Sequence, residues 1–165
     1  LMLYVGQSVK MGWGASSGAS FGSHAASSFI QHFGYNTGTY VASRGRYTID
    51  EWFDLLYHEL ETGHPIGFAG HSSGGGHAFV IDGFDGDQLF HVNWGWGGSS
   101  DGWFLINVLN AGDKSGIGAS SSSDGYSMGQ NALIGVNPLS EEQESWSGVP
   151  RYWNLSDHRK HPDGH

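Results

Sequence analysis

The second half of the chain is divided into five short apolar segments, and this division constrains the fold more than any other feature. The segments are rich in Val, Ile, Leu, Phe and Trp, are bounded by Gly, Pro, Asn or Asp, and occupy residues 65–70, 77–84, 87–94, 102–108 and 131–138. Short runs with these boundaries are typical of β-strands. Asp85-Gly86, between the second and third segments, is a strong hairpin signal. The sequence therefore predicts an antiparallel sheet.

Two segments before Pro65 have helical spacing. Residues 25–33 ("AASSFIQHF") place apolar side chains on one face and are followed by Gly34, a residue favoured just after a helix. Thr48 and Glu51 form a T-x-x-E capping box, which predicts a second helix ending near Thr62. "GTYVAS", between the two, predicts a short strand. Helices followed by an antiparallel sheet indicate the α+β class, in a chain whose 165 residues suit one domain.

Two segments lack a regular spacing of apolar residues. Residues 111–130 are rich in Gly and Ser, and structureless stretches of this length are usually functional or disordered. Residues 139–165 are polar and are interpreted as a linker or tail, which leaves residues 1–138 as the folded unit. His158, His161 and His165 could bind a metal loosely, but a solvated tail is the simpler interpretation. We predict no metal site and no cofactor.

Composition excludes several classes of function. The chain has 16 acidic and 7 basic residues and a formal net charge of −9, which disfavours binding to nucleic acid. It has no cysteine, so disulfides and thiolate metal sites are excluded. No apolar run approaches the length of roughly 18 residues that a membrane span needs, and no signal peptide is visible.

The first residues, "LMLYVGQSV", are apolar and do not begin with Met and a basic region. They are expected to be the end of a helix that belongs to a longer protein. A helix cut in this way leaves an apolar face uncovered, which would make the chain less stable alone.

"GHSSG", residues 70–74, fits the G-x-S-x-G pattern of the serine hydrolase nucleophile elbow. An elbow needs a helix after the serine, but three glycines and "HAFVIDG" follow Ser72, and these favour a loop and a strand. We therefore interpret Ser72 and Ser73 as loop residues.

His77 begins the second strand segment, directly after the glycines. If the hairpin is centred on Asp85, His77 faces Asn93; if the turn is Asp85-Gly86, His77 faces Trp94. A catalytic imidazole needs an orienting partner on one ring nitrogen and a nucleophile on the other, and an indole beside it would exclude water. On this pattern alone, a structural histidine stays the more frequent case.

The segment "GGHAFVIDGFDGDQLFHVNWGWGGSSDGWFLINVLN", residues 75–110, resembles the core of streptopain-type bacterial cysteine peptidases, which have a papain-like fold. The motif "NWGWGG" and its distance from "GGHAFVIDG" are specific to this family. "VGQSVKMGWGASSGAS", "HFGY" and "DEWFDLLYHEL" also follow the family's order, so the resemblance covers roughly residues 1–138.

The resemblance implies a site built around His77 as the catalytic histidine, with Asn93 orienting it and Trp94 shielding it. It further implies a cleft lined by Gly76, Trp96, Ser16, Ser17 and Ser20. Residues 111–130 correspond to the family's mobile glycine-rich loop. Protein or peptide substrates, a propeptide and secretion are implied as well.

The sequence departs from the family in one respect, because the nucleophilic cysteine is absent. In the family this cysteine and an oxyanion-hole glutamine lie upstream, at a helix N-terminus. We therefore expect the chain to be the C-terminal part of the catalytic domain and to be inactive by itself.

Two alternatives stay open at this point. One is a serine hydrolase that uses Ser72. The other is a secreted, non-enzymatic module whose seven Trp and many Gly bind sugars or a partner surface.

Overall fold

The computed structural model describes residues 1–14, 18–111 and 124–138. Three helices, α1 (Met2–Ser8), α2 (Phe21–Phe33) and α3 (Ile49–Glu61), precede or flank the sheet. The six strands are β1 (Tyr40–Ser43), β2 (Ile66–Ser72), β3 (Gly75–Phe84), β4 (Leu89–Asn93), β5 (Gly102–Leu105) and β6 (Met128–Ile134). They form one sheet in the order β1-β6-β2-β3-β4-β5, and every pair is antiparallel.

The core lies between α3 and one face of the sheet. Trp52 and Leu56, one helical turn apart on α3, are fully buried against the inward side chains of the strands, which include Phe68, Ile81 and Phe90. The N-terminus of α3 has the predicted capping box: the Glu51 amide donates to Thr48, and the Thr48 amide donates to the Glu51 carboxylate. The prediction of this helix is confirmed.

The opposite face of the sheet is covered at its β1–β6–β2 side by α2. Gly67 and Leu133 are partners on this face, and the Phe21 ring lies 3.6 Å from the position of a Cβ on Gly67. The helix begins at Phe21, earlier than predicted, because Phe21 packs on the sheet in this way. Gly34 ends α2 in the left-handed conformation, with a φ of 67°, as its position predicts.

The β3–β4 hairpin differs from both predicted registers. Asn93 is opposite Val80, and neither Asn93 nor Trp94 is opposite His77. The connection is longer than two residues because the Asp85 carboxylate accepts from the backbone amides of residues 87, 88 and 89, and a bulge after Ile81 shifts the pairing again. His77 instead pairs with Gly70 of β2.

Three further expectations are revised or lie outside the described residues. The segment 111–130 is not wholly irregular, since β6 begins at Met128, while residues 112–123 are not described. The strand predicted over 102–108 ends at Leu105, where the chain turns. The tail 139–165, with its three histidines, also lies outside the described residues, so the division at residue 138 stays a prediction.

None of the helices in the described ranges is long and apolar enough to cross a membrane.

Candidate active site around His77

His77 lies near the start of β3, and its imidazole is held by one backbone group. Its Nε2 is 2.9 Å from the carbonyl oxygen of Trp94. A carbonyl can only accept, so Nε2 carries the proton and Nδ1 of the neutral ring is left as an acceptor. Among the described residues, no hydrogen bond to Nδ1 is present. This geometry leaves Nδ1 able to take a proton from a reacting group.

Aromatic rings surround the imidazole. Trp96 stacks on it at 5.1 Å between ring centroids and 22° between planes, and Trp94 is near-parallel at 6.3 Å. Phe79 and Tyr126 contact it at a tilt, at 5.9 and 5.6 Å. Trp94, Phe79 and Tyr126 are buried, which makes the floor of the site a continuous aromatic surface.

The environment shifts the protonation of His77. Burial lowers the pKa of His77 below its usual value, because the charged ring loses hydration. The hydrogen bond to the Trp94 carbonyl opposes this shift, since the charged ring donates more strongly. The net direction of the pKa shift is down, which favours the neutral imidazole, the form that can act as a base.

The loop after β4 positions the Trp94 carbonyl. Oδ1 of Asn93 accepts from the Gly95 amide at 2.9 Å, which forms an Asx turn. The Trp94 amide donates to the Asp101 carboxylate at 2.9 Å, which closes the loop from its other end. Gly95, whose φ is 78°, supplies the left-handed conformation that the turn requires. The sequence "NWGWGGSSD" thus folds into a loop that fixes the position of the Trp94 carbonyl.

The predicted site residues are only partly brought together. His77, Trp94 and Trp96 are in contact. Gly76 precedes His77 in β3, and a Cβ there would point to the His71 ring rather than to the two tryptophans. Asn93 is exposed, and its carboxamide oxygen bonds to Gly95 rather than to the imidazole. Ser20 lies at the exposed start of α2. Ser16 and Ser17 lie outside the described residues.

Ser72 is the last residue of β2 and not a loop residue as predicted, whereas Ser73 lies in the turn to β3. The Ser72 hydroxyl donates to the Gly75 carbonyl and accepts from the Gly74 amide, and the residue is 6% exposed. The chain continues into β3, so no helix follows Ser72 as an elbow requires. This arrangement does not support a nucleophilic role.

Sequence reasoning missed Tyr126 and Asp101. Tyr126 lies in residues 111–130, which are predicted to be irregular, and no periodic pattern of apolar residues there indicates that it is buried. Asp101 precedes a strand, where an aspartate is usually a simple turn residue. For metals, no group of three or more His, Asp or Glu side chains within residues 1–14, 18–111 and 124–138 is arranged to hold an ion.

Comparison with known proteins gives consistent matches. The peptidase C10 family matches residues 1–104. Streptopain of Streptococcus pyogenes serotype M1 is 40% identical over 138 residues, which cover 84% of this chain and 34% of streptopain. The thiol protease/hemagglutinin PrtT of Porphyromonas gingivalis is 39% identical over 129 residues, 75% of this chain and 14% of PrtT.

Solved structures match as well. Active wild-type interpain A cysteine protease of Prevotella intermedia superposes with a TM-score of 0.69 at 35% identity, over 82% of this chain and 54% of that one. A prointerpain A fragment of the same organism gives a TM-score of 0.64 at 34% identity, over 84% and 41%. The chain thus spans about a third of the streptopain it matches.

Proposed function

Because the chain belongs to the peptidase C10 family, we propose that it is the histidine-bearing part of a cysteine endopeptidase. The predicted α+β, papain-like fold is confirmed by the solved interpain A structures. The observation that carries the proposal is the geometry of His77. Its Nε2 is bonded to the Trp94 carbonyl, and Nδ1 has no hydrogen-bond partner among the described residues.

In this proposal His77 works first as a base and then as an acid. Nδ1 takes the proton of a cysteine thiol, and the resulting thiolate attacks the carbonyl carbon of the peptide bond. The imidazolium then gives its proton to the leaving amine nitrogen, which leaves an acyl-enzyme for water to hydrolyse. The 165 residues contain no cysteine, so the thiol must come from residues outside this sequence.

The tryptophans have separate roles in this scheme. Trp94 orients the imidazole through its backbone carbonyl and shields it with its buried ring. Trp96 stacks on the imidazole, and the face of an indole attracts a cation, which stabilises the imidazolium formed in the reaction. Asn93 acts as a positioning residue, because its carboxamide shapes the turn that carries the Trp94 carbonyl.

Further parts of the proposal rest on the family alone. Gly76, Trp96, Ser16, Ser17 and Ser20 line the cleft for a protein or peptide substrate. A propeptide accompanies the nucleophile-bearing segment, a pairing supported by the prointerpain A match. The whole protein is secreted. No cofactor takes part in the scheme.

Substitutions in the full-length polypeptide test the proposal. His77→Ala is expected to lower kcat/KM for a peptide substrate by about 10³-fold or more, because the proton acceptor is lost. His91→Ala is the matched control, since His91 lies in the same sheet but bonds to Asp82, and it should leave the rate unchanged. Iodoacetamide should abolish the activity, and the 165-residue chain alone should have none.

Ser72→Ala separates the serine hydrolase alternative from the cysteine peptidase. It should lower the activity far less than His77→Ala does, because the Ser72 hydroxyl is bonded within the turn and attacks no substrate in this scheme. Hydrolysis that survives alkylation and disappears in Ser72→Ala would contradict the proposal.

A further inference from the structure

A carboxylate joins the segment before β6 to the turn between β2 and β3. Oδ2 of Asp124 accepts from the Ser73 amide at 2.8 Å, and Oδ1 accepts from the Ser73 hydroxyl at 3.2 Å. The two residues are 51 positions apart in the chain. Hydrogen bonds to a charged group are stronger than neutral ones, so this two-point contact fixes both the distance and the orientation of the two segments.

On the Asp124 side, the next two residues have little freedom. Gly125 has a φ of 61°, and a Cβ there would lie 1.9 Å from the Val108 carbonyl oxygen. Tyr126 donates from its amide to Leu109, and its carbonyl lies against Gly70, where a Cβ would come within 2.4 Å of the oxygen. Little conformational freedom therefore separates Asp124 from Tyr126.

The buried Gln130 side chain reinforces this segment. Its amide donates to the carbonyls of Ile106 at 2.7 Å and Tyr126 at 3.3 Å. It therefore holds the backbone of Tyr126 from the side of the core, while Asp124 holds the same segment from the exposed turn.

On the Ser73 side, the turn leads directly to His77. The Ser72 hydroxyl donates to the Gly75 carbonyl and accepts from the Gly74 amide, so the turn is closed by its own side chain. β3 begins at Gly75 and carries His77 two residues later. The paired residues His71 and Met128 also connect β2 to β6, so these two strands are joined independently of the Asp124 contact.

We propose that Asp124 is a positioning residue that, through Ser73, holds the Tyr126 ring against the imidazole of His77. The proposal deepens the proposed function, on which it rests for the catalytic role of His77. Tyr126 is 2% exposed and its ring lies 5.6 Å from that of His77, so it excludes water from one side of the imidazole. Loss of the Asp124 carboxylate lets the Tyr126 ring move away from His77 and admits water to that side of the imidazole.

The test is a titration of the His77 ring protons by NMR in the 165-residue chain. In Asp124→Ala the pKa of His77 should rise toward the ordinary value of about 6.5, because hydration of the charged ring is restored. In the full-length enzyme the same variant should lose roughly tenfold in kcat/KM, since a misplaced base is a poor one. Asp124→Asn keeps one acceptor and should show a smaller effect on both readouts.

Asp85→Ala is the matched control. Asp85 also accepts backbone amides in a hairpin turn, but it lies at the far end of β3, roughly 26 Å from His77 along an extended strand. Its loss should affect stability and leave the titration of His77 unchanged.

Ser73→Ala removes only the hydroxyl contact and keeps the test decisive if Asp124→Ala does not fold. Its shift should be small, and the double variant Ser73→Ala/Asp124→Asn should show a shift smaller than the sum of the two single shifts, because both changes act on one contact. An unchanged His77 titration in the folded Asp124 variants overturns the inference, whatever their activity. Because this readout needs no hydrolysis, failure of the proposed peptidase function would be seen separately, as absent activity in the native enzyme.

Discussion

At the scale of single residues, His77 is subject to two opposed effects. Burial among aromatic rings disfavours its charged form, whereas the Trp94 carbonyl and the face of Trp96 favour it. Burial dominates, so the imidazole of the isolated chain is more readily neutral than an exposed histidine. A thiolate beside Nδ1 would shift this balance toward the charged form, which is the state a cysteine peptidase uses.

The lowered pKa of His77 predicts a dependence of stability on pH. The unfolded chain binds a proton at His77 near the ordinary value of about 6.5, but the folded chain binds it only at lower pH. The contribution of His77 to the free energy of unfolding is therefore fully present above the ordinary pKa. It is lost as the pH falls through the pKa of the folded chain.

Urea unfolding at about pH 7.5 and about pH 5 measures this effect. The native chain should lose more free energy of unfolding between the two values than His77→Gln does. The same pair of measurements on His32→Gln, an exposed histidine of α2, controls for the removal of a histidine in general. An equal loss in the native chain and His77→Gln would contradict the assignment.

At the scale of elements, the site depends on two connections rather than on strand interiors. The loop between β4 and β5 presents the Trp94 carbonyl, and the segment before β6 presents the Tyr126 ring. Both contain glycines with positive φ, at Gly95 and Gly125. Gly95 supplies a left-handed turn with open space around it, whereas Gly125 lets the backbone approach the Val108 carbonyl closely.

Gly125→Ala should therefore be strongly destabilising, by about 3 kcal/mol or more, because strain at positive φ adds to a clash with the Val108 carbonyl. Gly86→Ala is the matched control. Gly86 has a φ of 89° but no atom within 4 Å of an added Cβ, so only the strain of about 1–2 kcal/mol applies. Urea unfolding of both variants measures the difference. Equal losses in the free energy of unfolding would contradict the close contact between Gly125 and the Val108 carbonyl.

At the scale of the whole molecule, the apolar surface of α1 is conspicuous. Leu1, Met2, Leu3 and Tyr4 are between 57% and 88% exposed. Together with α2, the helix borders an open cavity of about 530 Å³. Contiguous exposed apolar patches promote association, so the chain is expected to self-associate through this surface.

The prediction is checked by sedimentation velocity over a range of concentrations. The Leu3→Ser/Tyr4→Ser double variant should shift the native chain toward monomer. Trp103→Ser/Leu105→Ser removes two exposed apolar side chains from β5 and is the matched control, which should leave the association unchanged. A native chain that is monomeric at all concentrations would contradict the role of α1.

How much could be predicted from the sequence differs between features. The capping box at Thr48, the helix end at Gly34 and the existence of the strands follow from local preferences, and all are confirmed. The predicted pairing of His77 is wrong, because the length of a turn and the position of a bulge depend on side chains such as Asp85. The apolar periodicity of the sequence does not reveal these contacts. The Asn93 carboxamide, which the sequence predicts beside the imidazole, accepts from the Gly95 amide instead.

By itself, the sequence determined the α+β class and the family resemblance, and it predicted a site at His77 and the Trp94–Trp96 motif, because these features are recorded in local patterns and residue types. Only the tertiary structure decided that a backbone carbonyl, rather than the carboxamide of Asn93, bonds to the imidazole, and that Tyr126 lies against it. The physical reason is that these contacts join segments distant in the chain. Their geometry is set by how turns and glycines let those segments approach, which no local preference specifies.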